Sequence, residues 1–500
     1  MRTLLGRRIA AVAVTASALA LATPAAGATI TVKPGGAVPT IADAVAQAQD
    51  GDTIVLRRGV YAEAVVVTQN RLRIVGRGAV WEGFVAGDDA RCLQVQGDGV
   101  TVEGVTFRHG YPQLRIDGDD CVVRRCRFRS AGDYAVETYG ERTLVERCSM
   151  DGTETGAVVF RPGAHDGAVR RTVVRGVSGS GIEANAADRI ALERLELSRT
   201  ASEGVLLTSS EGSSVTRCRV RVAGETGVSA RNCRALVVSA CTVSAVDGSG
   251  IAVSASDDVR VEDCSVTGAL GENLVSVSGA RAVVRRNRVA GSYDTGLRIS
   301  GDDALIEENA VSRSGDPGIE VVGARAAIRG NVIREIANSG LRLIGSAATI
   351  ERNVVAAVGR YGIDVVGQAA LSENRVSDCS ARPYAAIALR GSGSSLAGDT
   401  VTDAHGDGIR IEGSGNRLVG CVVRFARMDG IDIESGDGNT ITDCTVSDCD
   451  AEALDNSGTA TNVTGSRLAS SRILLANDGT FATFEGNDVE LSDALPPQID

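Results

Sequence analysis

Gly318-Ile319-Glu320-Val321-Val322-Gly323-Ala324-Arg325-Ala326-Ala327-Ile328-Arg329-Gly330-Asn331 is followed, about 22 residues on, by Gly340-Leu341-Arg342-Leu343-Ile344-Gly345-Ser346-Ala347-Ala348-Thr349-Ile350-Glu351-Arg352-Asn353. Both open on Gly-hydrophobic-x-hydrophobic and close on Asn. The opening recurs at Gly181, Gly204, Gly227, Gly250, Gly296, Gly362, Gly408 and Gly430. Asn273, Ala386 and Ala453 keep the same register, and Gly156, Ala135, Gln113 and Cys92 extend it backward. Each unit holds two or three short β-branched runs separated by Gly, Asp, Ser and Asn, and none leaves room for a useful helix. A unit of this size closes one rung and stacks its strands in parallel on the next. At about 4.8 Å per rung, the repeats predict a rod of about 80 Å.

A second register runs with the first. Cys126, Cys148, Cys218, Cys241, Cys264, Asn287, Asn309, Asn331, Asn353, Cys421 and Cys444 stand thirteen or fourteen residues after their anchors, with Asn374 and Asp399 keeping the register. Asn tolerates unusual backbone angles at a tight turn, and its amide can bond the next rung to form a ladder. Cys in that slot is a small buried substitute. The cysteines are therefore read mainly as buried thiols, although disulfides between adjacent rungs are sterically allowed.

Composition agrees with a rod. Glycine is abundant at 60, proline scarce at 9, and aromatics make up only 3%. The net charge is −11 and Lys33 is the only lysine. An acidic chain without a basic stripe argues against nucleic acid as a partner. Arg2, Arg7 and Arg8, the apolar run Ile9 to Leu21, and Ala26-Gly27-Ala28 read as an export leader over residues 1–28. The run is too short to span a bilayer. The expected organisation is a leader (1–28), a cap and first coils (29–90), the repeats (91–490) and a tail (491–500), in a secreted monomer that does not insert into membranes.

Pro39-Thr40-Ile41-Ala42-Asp43-Ala44-Val45-Ala46-Gln47-Ala48 predicts a short helix with Thr40 as N-cap. Gly51-Asp52-Thr53-Ile54-Val55-Leu56 and Gly59-Val60-Tyr61-Ala62-Glu63 follow. This opening resembles the start of pectate-lyase-like proteins, and the remainder resembles their parallel β-helix repeat and NosD-type members. The resemblance spans nearly all of residues 29–490. It implies an all-β, single-stranded right-handed parallel β-helix (solenoid) with a short N-terminal capping helix. It also implies an activity drawn from polysaccharide lyases and mannuronan epimerases. Specific signatures are missing: Asp316-Pro317 is followed by Gly318 and Ile319 rather than a His, and His405-Gly406 is preceded by Ala404.

In the anchor strand, alternate residues face out. Read down the rod, the outward positions are Arg115, Glu137, Val158, Glu183, Leu206, Ser229, Ala252, Val275, Arg298, Glu320, Arg342, Asp364, Ala388, Arg410, Asp432 and Asp455. Two stretches stand out. In the first, Arg115 stacks beside Glu137. Asp117, Tyr139 and Phe160 lie further along, and Tyr111, Asp133 and Glu154 on the near side. Tyr134 adjoins them, with His109 and His165 in flanking turns. More than half of the aromatic residues fall between Trp81 and Phe160. Rings beside carboxylates and arginine suit a sugar groove. Abstraction of a proton next to a uronate carboxylate needs a neutralising cation with an acid and a base. Tyr134, Tyr139, His109, Arg115 and Glu137 are the catalytic candidates. Tyr111, Asp133, Glu154, Phe160 and His165 are the substrate-binding candidates.

The second stretch is acidic. Asp432 is expected to stack on Asp455, and Asp407 on Asp429 and Glu452. Carboxylates about 5 Å apart repel unless a cation intervenes, and oxygen ligands suit Ca²⁺. No cofactor is otherwise required. The alternation Arg298, Glu320, Arg342, Asp364 reads as charge pairing between rungs. The leading expectation is a secreted protein that binds, and cleaves or epimerises, an acidic polysaccharide. The alternative is a non-catalytic extracellular structural or adhesive rod.

Overall fold

The computed structural model describes residues 27–83, 91–271, 273–379, 383–470 and 473–491. Most of the expected leader and nearly all of the expected tail lie outside the described residues. The chain winds as an all-β, right-handed parallel solenoid of about 20 turns. The repeats counted from the anchors are extended by coils at both ends.

Each turn contributes three short strands that pair in parallel with those above and below. We number the resulting columns as sheets 1 to 3. Sheet 1 holds the anchor strands, such as Thr295–Ser300 and Ile319–Val322. Sheet 2 holds strands such as Leu305–Glu307, and sheet 3 strands such as Ala310–Ser314. Leu297 pairs with Ile319, Ile319 with Leu341 and Leu341 with Ile363. These residues and their counterparts on sheets 2 and 3 fill one continuous aliphatic core. The anchor glycine is a packing requirement. A Cβ on Gly340 would lie 2.3 Å from Val355 Cγ1 and 2.8 Å from the Gly362 carbonyl oxygen.

The Asn slot lies between sheets 2 and 3. The strained angle expected of Asn falls instead on the residue just before it: Arg286, Glu308, Gly330, Arg352 and Glu373 have φ between 52° and 63°. Asn is then free to bond inward. Asn309 Nδ2 donates to Val284 O at 2.8 Å and Asn331 Oδ1 at 3.0 Å, and its backbone N–H donates to the same Oδ1 at 2.9 Å. The pattern repeats from Asn287 through Asn374 and ends on Asp399. The thiols of Cys218, Cys241 and Cys264 donate to the equivalent carbonyls of Leu192, Val215 and Val238. This is why Cys and Asn exchange in the slot. All twelve cysteines are buried.

The N-terminal motifs close the rod. The helix spans Ile41–Gln47, with Thr40 Oγ1 accepting from the Asp43 N–H. The Glu63 carboxylate accepts the N–H groups of Ile41 and Ala42 at 2.9 and 3.0 Å, which satisfies two orphan donors of the first turn. Asp52 accepts the N–H groups of Ala28 and Gln49, and the Tyr61 hydroxyl donates to the Arg57 carbonyl. The acid, tyrosine and Gly-Asp of the opening motif are therefore capping devices.

Two anchors shift by one residue. Val158 pairs with Ile182 and Val159 with Glu183, so Ala157 rather than Gly156 is the anchor. Ala252 pairs with Ser276, which puts Val275 in the core and Ser276 outside. The shift has a consequence for Phe160, which joins buried Thr138 and Ala184 in an inward column. Its ring lies where a Cβ on Gly167 would approach Cε1 to 2.3 Å.

Removing the Asn331 side chain strands a backbone N–H, an amide and a carbonyl in the core. Asn331→Ala is expected to lower stability by roughly 2–4 kcal/mol, read as a lower denaturant midpoint; a midpoint equal to wild type would contradict the ladder. Asp399 is fully buried, and burial pushes its carboxyl up to about 6. Its folded value lies above the unfolded value of about 4, so its contribution to stability is full below about pH 4 and is lost as pH rises through 6. Asp399→Asn is expected to flatten stability across that window and to exceed wild type above it in pH-dependent melting. An unchanged pH profile would contradict this role.

Candidate functional site

Sheet 1 presents its outward residues in register: Arg115 beside Glu137, Arg298 beside Glu320, Arg342 beside Asp364, Arg410 beside Asp432 and Asp432 beside Asp455. Three clusters rise from this face.

The N-terminal cluster gathers Arg115, Glu137, Tyr139 and Tyr134. Arg115 Nε donates to Asp117 at 2.8 Å, and its guanidinium lies 4.4 Å from the Tyr139 ring centre. The Tyr139 hydroxyl donates to Glu137 at 3.2 Å. A residue that the outward reading passed over completes the set. Arg161 takes the position assigned to Phe160, donates to Glu137 at 2.8 Å and lies over the Tyr134 ring at 5.2 Å. The signal for it was the one-residue shift at Ala157, which a fixed Gly anchor conceals. The Tyr134 hydroxyl donates to Glu183 at 3.0 Å. Burial, then the Glu183 charge, pushes this phenol up, and burial also pushes up the carboxyls of Glu183 and Asp133.

The other candidates divide. Phe160 is fully buried and cannot meet a ligand. Tyr134 is only 6% exposed, whereas Tyr139 is 39% exposed. His109, Tyr111 and Glu154 line a separate shallow cavity of about 280 Å³, where His109 Nδ1 meets Glu82 at 3.0 Å. Among the described residues no hydrogen bond joins His109 to the Arg115 group. Asp133 sits at the start of the Tyr134 strand. His165 belongs to a turn, where its Nδ1 accepts the Asp188 N–H at 2.9 Å. The aromatic richness of this end is partly core: Trp81, Phe107 and Phe128 stack inside the rod at 5.7 and 4.9 Å.

The C-terminal cluster brings Asp407, Asp429 and Asp432 together, with one oxygen of each within 4.8 Å of the others. A cation already stands among them. Arg410 donates to Asp407 at 2.6 Å and to Asp432 at 2.8 Å. Asp407 and Asp429 also accept the N–H groups of Asp429 and Glu452 from the next rungs. One guanidinium cannot balance three buried carboxylates. Burial, then the Asp407 charge, pushes Asp432 up to about 7; burial, then the Glu452 carboxyl, pushes Asp429 up to about 6. Asp455 stacks on Asp432, and its carboxyl is raised chiefly by burial.

The middle of the face is not uniform. Over the rungs from Asp294 to Arg390 it sinks into a cleft of about 360 Å³. The alternating column forms its floor, with Glu320 at 3.5 Å from both Arg298 and Arg342. Arg390 forks onto Asp364 through Nε and Nη2. Tyr361 and Tyr384 meet edge to face at 5.0 Å, with Arg390 over the first and Arg360 over the second. Sequence reading passed over Arg360, Tyr361 and Tyr384 because they sit in turns, where the strand alternation carries no information.

The family model described as right-handed beta helix region matches residues 157–311, 273–382 and 385–493. No curated protein matches the sequence. Similar solved structures include the A-module of a mannuronan C-5 epimerase from Azotobacter vinelandii. It has 14% identity and a TM-score of 0.43, covering 68% of this chain and 93% of that one. A pectate lyase is similar at 12% identity and a TM-score of 0.30, covering 58% and 79%. A surface adhesin of Streptococcus pneumoniae is similar at 11% identity and a TM-score of 0.35, covering 67% and 85%.

Arg410 fills the place that a metal ion would take between Asp407 and Asp432. Millimolar calcium is therefore expected to leave the thermal midpoint of the wild type unchanged. Arg410→Ala is expected to lower that midpoint and to regain part of the loss when calcium is added. A calcium-dependent rise in the wild type would contradict this assignment.

Proposed function

The chain belongs to the right-handed β-helix family, and from that premise we propose that it binds an acidic polysaccharide along the outward face of sheet 1. One observation carries the reading. All four arginine-over-tyrosine pairs among the described residues, Arg115–Tyr139, Arg161–Tyr134, Arg360–Tyr384 and Arg390–Tyr361, lie on this face or at its edges. Such pairs join a flat apolar surface to a fixed cation, which suits a sugar ring bearing a carboxylate. An export-type leader over residues 1–28 would put this activity outside the cytoplasm. Among the described residues no helix is long and apolar enough to cross a membrane.

If the protein also processes its polymer, elimination or epimerisation at a uronate is the chemistry these groups support. Arg115 would neutralise the carboxylate, and Tyr139 would exchange protons with Glu137 as its partner. Tyr134 and His109 would need to move to take part. Asp133, Tyr111 and Glu154 would contact flanking sugars. Calcium could enter at Asp407, Asp429 and Asp432 only by displacing Arg410, with Glu452 and Asp455 at the margin.

The non-catalytic rod is the second reading. It is favoured by the saturation of the N-terminal cluster, where Arg115 and Arg161 are already bonded to Asp117 and Glu137.

Affinity electrophoresis through gels containing pectate, alginate or hyaluronan tests the binding. Retardation in at least one acidic gel and none in neutral dextran is expected, weakening as salt rises. Equal mobility in every gel would refute the reading. Ultraviolet absorbance of unsaturated uronate separates the two versions: its appearance supports a lyase, and its absence in a retarded protein supports binding without elimination.

A further inference from the structure

The central cleft has a charge state unlike the clusters at either end. Arg390 is consumed by Asp364. Glu320 is shared by Arg298 and Arg342 at 3.5 Å and accepts a hydrogen bond from neither. Arg360 has no carboxylate partner among the described residues and rests only over the Tyr384 ring at 5.5 Å. Arg342 Nε is shielded from solvent, makes no hydrogen bond and lies 3.6 Å from Asp364 Oδ2. With Arg390 forked onto Asp364, Arg342 is held only by long contacts of 3.5 and 3.6 Å.

The acidic side of the cleft is muted. Asp294 and Asp316 face each other across adjacent rungs, and burial followed by their mutual hydrogen bond raises the Asp294 carboxyl. Asn338 Nδ2 donates to Asp316 at 2.7 Å and fixes the pair at the rim. Four guanidiniums, of Arg298, Arg342, Arg360 and Arg390, line the cleft with four carboxyls, in a chain whose net charge is −11. Tyr293, next to Asp294 in sequence, stands 78% exposed.

We propose that this cleft binds the carboxylate of an acidic sugar between Arg342 and Arg360, with the ring beside the Tyr361–Tyr384 pair and its hydroxyls facing Asp294 and Asp316. A planar carboxylate matches the guanidinium fork and gives Arg342 and Arg360 the short charge-assisted hydrogen bonds that neither makes to a carboxylate among the described residues. The ring gains an apolar edge, and the Asp294 and Asp316 carboxyls accept from its hydroxyls. This inference rests on the polysaccharide reading above and gives it a location.

Titration calorimetry on the full chain at low salt tests it, with tri-galacturonate, tri-mannuronate and a hyaluronan tetrasaccharide as probes and cellotriose as the neutral control. The wild type is expected to bind at least one acidic probe and not cellotriose. Arg342→Gln with Arg360→Gln should weaken that binding at least about tenfold, and Arg142→Gln, on a remote turn, should leave it unchanged. Arg360→Gln alone removes no ion pair, so a several-fold loss with an unchanged thermal midpoint separates recognition from folding. Equal affinity in the double variant would overturn the site while leaving the retardation of the whole rod intact. Failure of every acidic probe to bind the wild type would also overturn it. Loss of retardation in every acidic gel would instead remove the reading on which it rests.

Discussion

Parallel pairing in register sets every side chain about 4.8 Å from its counterpart one turn away. Nearly everything else follows from that spacing. A residue type that bonds to its own copy multiplies along the rod, as Asn does from Asn287 to Asn374. A charge is tolerated when its neighbour is opposite, as along Arg298, Glu320, Arg342 and Asp364. Where like charges stack, the structure needs another remedy. At Asp407, Asp429 and Asp432 the remedy is Arg410 together with raised carboxyls. At Asp294 and Asp316 it is the amide of Asn338, which donates to Asp316, together with a raised Asp294 carboxyl.

The same spacing explains what could be read from the sequence. The repeat, its anchor and the Asn/Cys slot were legible because stacking copies one local solution many times. The helix at Ile41–Gln47 was legible from Thr40 and its apolar spacing. The capping role of Glu63 was not, because its partners Ile41 and Ala42 lie a whole coil away. The register at Phe160 and Val275 was misplaced because the marker residues Gly156 and Asn273 stand one residue before the true anchors, Ala157 and Leu274, and a fixed marker cannot detect that. Arg161 was lost with it.

The candidate site was legible only in part, for a related reason. Strand positions alternate and can be assigned to a face, so Arg115, Glu137 and Asp432 were placed correctly. Turn positions have no period. Tyr361, Tyr384 and Arg360 therefore gave no sign that they converge over the central column. Aromatic density misled at the N-terminal end because Trp81, Phe107 and Phe128 form an internal stack. Only the contacts separate a ring that packs from a ring that is presented.

The proposed recognition surface is one face of a rod whose remaining surface is shaped mainly by stacking. Hydroxyl-radical footprinting of the whole chain, with and without a saturating acidic polysaccharide, tests that assignment most directly. Protection concentrated at Tyr139, Tyr361 and Tyr384, with the outward residues of sheets 2 and 3 unaffected, is the predicted result. Protection spread evenly around the rod, or confined to sheets 2 and 3, would contradict it.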